Sequence, residues 1–163
     1  MAKLKKLSAA PIEPEGELFG IATTMQPHKL VYFLNKQLFF AFKSIEDLPA
    51  GNIKPEQPDL FSVFMHQDAE LITDFYLIGN FNGDSYLFSA QKQFQFIFYI
   101  QGAAHQTHID SIVQQIRKIE GVQMVYRLQP QTIKEIEYFN EDFEMFLMDL
   151  KQKTTSKNSG FTE

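Results

Sequence analysis

The chain has no cysteine and no tryptophan among its 163 residues. The first absence excludes disulfides and thiolate metal sites, and it suits a cytoplasmic location. Long apolar runs are missing as well. No stretch approaches the ~20 apolar residues that cross a bilayer, so no membrane partner is expected. Lys3, Lys5 and Lys6 open the chain, but Ser8-Ala9-Ala10-Pro11-Ile12-Glu13 follows without the apolar segment of a secretory signal. Positive charge is scarce too. A net charge of -5 and a pI near 5.4 argue against a general nucleic-acid surface, which needs a basic patch. The patterns G-x-x-x-x-G-K-[ST], G-x-G-x-x-G and G-x-S-x-G are all absent, which removes the common phosphate-cradling loops and the nucleophile elbow.

What is abundant is phenylalanine. The chain has 17 Phe, and hydrophobic residues make up 44% of it. Aromatics at that density belong mostly inside, or the surface would be sticky. The length suits one domain with a real core. The expected division is a flexible tail over 1–16, a single α+β domain over 17–151, and a disordered tail over 152–163. Pro11 and Pro14 break any regular element in the first tail.

The stretch Phe94–Leu128 organises the rest. Phe94-Gln95-Phe96-Ile97-Phe98-Tyr99-Ile100 reads as a buried strand. Thr107–Glu120 reads as a helix, because Ile109, Ile112, Val113, Ile116 and Ile119 fall on one face. Thr107 is placed to cap it, with Asp110 three residues on. Arg117 and Lys118 oppose the negative end of its dipole, and Gly121 suits a C′ position. Val122, Met124, Tyr126 and Leu128 then share one face of a strand. Were the two strands parallel neighbours, the crossover would be right-handed.

Earlier in the chain, Leu18–Thr23 reads as a strand. A helix starts near Pro27, with Leu30, Phe33, Leu34 and Leu38 on one face. Phe39–Lys43 looks like a second strand. Ser44–Asp59, with Pro49, Gly51, Pro55 and Pro58, reads as a loop. Phe61–His66 and Leu71–Ile78 form a hairpin, and Gly79–Asp84 is turn chemistry. Tyr86–Phe88 suits a short strand. Thr132–Lys151 is helical, as one broken or two short helices, with Asn140 capping the second part. The order makes a βαββαβ plan, so the expected fold is a ferredoxin-like α+β sandwich with extra antiparallel strands and a C-terminal helix.

Two resemblances bear on this plan. Ile116-Arg117-Lys118-Ile119-Glu120-Gly121-Val122-Gln123-Met124-Val125 resembles the second half of ACT regulatory domains. Phe19-Gly20-Ile21-Ala22-Thr23-Thr24, then Lys29–Leu38 with its Leu34-Asn35-Lys36-Gln37-Leu38, resembles the opening of the IPExxVD family of small bacterial proteins. Ile119, Gly121, Val122, Val125 and Tyr126 match that family's closing pattern. The likeness covers roughly 17–128, and where the family's naming motif falls this chain reads Ser89–Gln95, so the motif is not retained. It implies an uncharacterised family and carries over no catalytic residue.

Several side chains are candidates for chemistry. His105 and His108 lie three apart at a helix start, a spacing that suits zinc or phosphate, with Asp110 or His66 needed as a third ligand. Asp68, Glu70 and Asp74, with Glu46 and Asp47, are carboxylates that read as solvated charge. Gly79–Asp84 has the spaced oxygens of a calcium loop but lacks its terminal glutamate. Phe94, Phe96, Phe98 and Tyr99 resemble a base-stacking strand, without the flanking cations; core is the simpler reading. Asn35 beside an apolar helix face suits a bond to backbone.

The expectation is a non-enzymatic regulatory or interaction module with no cofactor. The resemblance to ACT domains implies a ligand at Thr23, Thr24 and Gln26, in the loop 23–27, where hydroxyls and helix N-terminal amides can hold a carboxylate. The alternative is a metal-dependent hydrolase using His105 and His108. A sheet with helices on one face leaves the other uncovered. Either the Phe-rich terminal helix or a second copy must cover it, so a homodimer is the expected partner.

Overall fold

The computed structural model describes residues 16–50 and 56–161, from 154 onward by backbone alone. The expected N-terminal tail therefore lies almost wholly outside the described residues. The fold is α+β: a six-stranded antiparallel sheet with three α-helices.

In chain order the elements are β1 (Glu17–Thr23), α1 (Pro27–Leu38), β2 (Lys43–Ser44), β3 (Leu48–Ala50), β4 (Asp59–Phe61) and β5 (Val63–Asp68). Then come β6 (Thr73–Gly79), β7 (Phe96–Gly102), α2 (Gln106–Arg117), β8 (Val122–Arg127) and α3 (Ile136–Phe161). The sheet order is β2-β5-β6-β7-β1-β8, and β3 pairs with β4 in a separate small ribbon. Every pairing is antiparallel. β7 and β8 are therefore parallel to each other but not neighbours, because β1 lies between them.

Both faces of the sheet are buried, which explains the aromatic density of β6 and β7. Phe19, Ile21, Phe75, Leu77, Phe96, Phe98 and Ile100 face α1 and α2, which contribute Leu30, Leu34, Ile109, Ile112, Val113 and Ile116. Leu18, Tyr76, Ile78, Ile97 and Tyr99 face the other way, against Phe139, Phe143 and Phe146 of α3 and the β3–β4 ribbon. Burying one such phenylalanine contributes roughly 1.5–3 kcal/mol. The second face is thus covered by this chain's own helix, and no second copy is needed there.

Several local expectations change. The 39–43 segment is not a strand throughout. Phe39 takes a left-handed conformation (φ 57) at the end of α1, and pairing starts only at Lys43. The 44–59 stretch holds β3, with 51–55 outside the described residues. Tyr86–Phe88 supplies only an isolated bridge, Phe81 to Tyr86. His105, not Thr107, caps α2: its ring accepts the Thr107 N–H, and Asp110 Oδ1 accepts from Gln106 instead. Gly121 has positive φ, but it lies three residues past the C-cap Lys118, in the turn entering β8. Val122 and Leu128 do not share a face; a register shift at Ala22/Thr23 sends Val122 with Val125 towards the helices. The terminal segment is a 3₁₀ turn at Pro130–Thr132 and then one helix, with Asn140 inside it. That helix runs on as far as Phe161, through most of the expected 152–163 tail.

Candidate functional site

β1, between β7 and the edge strand β8, ends at Thr23, and the chain turns through Thr24, Met25 and Gln26 into α1. Thr23 is fully buried. Its hydroxyl donates to the Gly121 carbonyl at 2.7 Å and accepts the Met25 N–H at 3.1 Å. Its own N–H donates to Gln95 Oε1 at 2.8 Å. The hydroxyl is thereby committed to tying the loop to the start of β8. Gly121 adopts φ +100, and a Cβ there would stand 3.3 Å from Met25 Cε, so loop and turn are in contact.

Thr24 and Gln26 are exposed. Gln26 is the N-cap of α1, yet its side chain makes no capping bond, and the first turn holds no acidic residue. Pro27 has no N–H to satisfy, which suits that position. The Lys29 and Leu30 N–H groups both bond the Gln26 carbonyl, at 3.1 Å each, which leaves the His28 N–H at the positive end of the helix dipole.

On the outer side of β8 lies a shallow depression of about 250 Å³ lined by Arg117, Val122, Gln123, Met124 and Val125. β8 is the last strand of the sheet, with β1 on one side only. The Leu128 N–H bonds the Leu18 carbonyl, so residues alternate and the backbone groups of Val125 point outward. Arg117 Nε and Nη2 both donate to that outward carbonyl, at 3.2 and 2.9 Å. Met124 and Tyr126 are 49% and 59% exposed on the same strand.

The other candidates disperse. His105 and His108 are both exposed, and the His105 ring is engaged with Thr107 in the helix cap. His66 lies on β5, stacked on Phe40 and Phe75, and Asp110 stands on α2 near Arg127. Among the described residues no group of three His, Asp or Glu is placed to hold a metal ion. Asp68 Oδ1 accepts the Leu71 N–H in the β5–β6 turn, and Glu46 pairs with Lys153 of α3. Asn82 Oδ1 accepts from the Asp84 and Ser85 N–H groups, which spends that oxygen on a turn. Phe94, Phe96, Phe98 and Tyr99 are buried, so they form no stacking surface. Asn35 bonds both the N–H and the carbonyl of Phe42, at 2.8 and 3.3 Å, as a backbone-satisfying amide should.

No protein-family model matches the chain, and no curated protein was found to be related to it. The corner built by Thr23, Thr24, Gln26 and the start of β8 must be read on its own chemistry. It offers amides, a hydroxyl and a carboxamide, with no nucleophile paired to a base. Arg117 was visible in the sequence only as a dipole-opposing cation. Its contact with β8 needs the helix to lie across the sheet edge, which spacing does not encode.

Proposed function

We propose that the chain is a non-enzymatic cytoplasmic binding module on a ferredoxin-like βαββαβ core, with β2 to β5 inserted between α1 and β6. Support for the core is the order β8-β1-β7-β6 with alternating direction and with α1 and α2 on one face. The likeness to the IPExxVD family stands as part of the same proposal. The ligand we propose is a small carboxylate held at Thr24, Gln26 and the His28 N–H of α1, with Thr23 holding the loop in place. The observation that carries this is the α1 N-terminus without a side-chain cap or a first-turn acid, beside an exposed threonine.

The test is a thermal-shift and calorimetric screen of free amino acids and dicarboxylates against the full chain. Binding that is lost in Gln26→Pro and weakened in Thr24→Val supports the reading. A flat response across the panel, or binding untouched by both variants, removes it.

The partner we propose is a second copy, paired through β8. The reason is no longer an uncovered sheet face, which α3 occupies. Support comes from β8 itself, a sheet edge with Met124 and Tyr126 exposed. Light scattering over a range of concentrations decides it. A dimer that dissociates in Tyr126→Lys supports β8 pairing; a monomer at every concentration removes it.

A further inference from the structure

His66 occupies an unusual place for an imidazole. It lies on β5 directly opposite Phe75 of β6, and its ring stacks on Phe40 with centroids 4.4 Å apart. Phe75 and Phe42 are 5.7 and 5.9 Å away. Nδ1 accepts the Ala41 N–H at 3.1 Å. That bond requires an unprotonated Nδ1, so the ring is neutral with its hydrogen on Nε2. Nε2 is itself buried and has no partner among the described residues.

The segment it touches is the one that leaves α1 through the left-handed Phe39. That residue is held in a strained backbone conformation, because a Cβ crowds the carbonyl there. Phe39 is 91% exposed. One residue beyond Ala41, Asn35 bonds both the N–H and the carbonyl of Phe42. The segment is therefore pinned twice: by a titratable group at Ala41 and by a non-titratable one at Phe42.

We propose that His66 is an acid-released latch: its protonation frees Phe39–Ala41 and uncovers Phe40 beside Phe39, while Phe42 stays pinned. Protonating Nδ1 turns the acceptor into a donor facing another donor. Burial holds the His66 pKa below its ordinary value, against the opposing pull of Asp68 on its own strand and Asp74 on β6. Among the other charged or titratable groups on neighbouring elements, Lys43 stands in β2 opposite Met65 and His28 of α1 is edge-on to Phe64, while α1 also carries Lys29, Tyr32 and Lys36 and β6 carries Tyr76. The latch is thus closed at neutral pH and opens only below the ordinary histidine range.

The experiment is amide hydrogen exchange by NMR on the full chain, corrected for intrinsic rates, with the His66 ring titrated in parallel. Expected is a fall in Ala41 protection of up to about tenfold per pH unit below the His66 titration. Phe42 protection should hold over the same range. In His66→Gln, which offers an oxygen acceptor that does not titrate, the pH-dependent fall should vanish. Ala41 protection unchanged across the His66 titration would overturn the latch. So would the same fall in His66→Gln, or a joint loss at Ala41 and Phe42, which would mean unfolding of the whole domain.

Discussion

Phe94 lies flat against Gly20. A Cβ built on Gly20 would stand 2.4 Å from Phe94 Cγ, well inside contact distance. Gly20 is in the middle of β1, where glycine otherwise weakens a strand. Its missing side chain is what lets the Phe94 ring close over the sheet, where it stacks on Tyr126. Gly20→Ala is expected to destabilise by about 1–3 kcal/mol through overpacking. Urea unfolding measures it, and adding Phe94→Leu should recover part of the loss. An unchanged midpoint in Gly20→Ala would show that the ring moves aside at no cost.

Asn80 holds the connection between β6 and β7. It is completely buried, and its side chain makes three bonds: to the carbonyls of Gln91 and Phe94 and from the N–H of Phe88. Asn80→Ala leaves one donor and two acceptors without partners. The expected cost is about 2–4 kcal/mol, because each orphaned group is away from water. Asn80→Asp keeps the Phe88 bond but sets a carboxylate against two carbonyls, so it should be at least as damaging. Thermal unfolding of the pair checks the order.

Phe143 of α3 stands edge-on to Tyr76 and Tyr99, 4.9 and 5.1 Å away. Phe143→Ala should cost about 3–5 kcal/mol and loosen the helix from the sheet. Increased binding of an apolar dye, with little change in far-ultraviolet circular dichroism, is the expected signature. A variant that associates instead would mean a second copy can replace the helix on that face.

Tyr76 gives a test at alkaline pH. Burial, and then the Asp74 carboxylate, push its phenol well above the ordinary range. The unfolded chain loses that proton near pH 10, before the folded chain does. Its contribution is therefore complete below about pH 10 and shrinks as pH rises beyond it. Urea midpoints from about pH 9 to 11 should fall less steeply in Tyr76→Phe than in the parent chain. Parallel slopes would mean that Tyr76 ionises as readily in the fold as outside it.

The sequence reads well where one periodicity dominates. The isoleucines of α2, the leucines of α1 and the buried run of β7 were all legible, because each repeats the spacing of its own element. Legibility fails where a contact joins distant segments. Nothing in the spacing says that β1 separates β7 from β8, or that α3 takes the second face. Asn80 sits in a stretch rich in glycine and asparagine and reads as turn, since burial depends on what folds over it. His105 took the cap from Thr107 because a helix N-terminus accepts any acceptor that reaches it. Thr23 was legible as a polar residue at a strand end, but not as a buried one bonded to Gly121. The grouping of Thr24 and Gln26 at a helix start was readable, because it follows from chain neighbours alone.

The place of β1 carries a cost in time. The strand made first lies between the two made late, with Phe19 opposite both Phe98 and Arg127. Contacts so far apart in the chain are slow to form, since loops must close before any pairing rewards them. During synthesis β1 ends at Thr23 and has no partner on either side until β7 starts at Phe96, and one sheet face waits longer still for α3. A nascent chain of this protein spends much of its synthesis with an interior, largely buried strand unpaired. Its yield in a cell should therefore depend on holding chaperones more than its final stability would suggest.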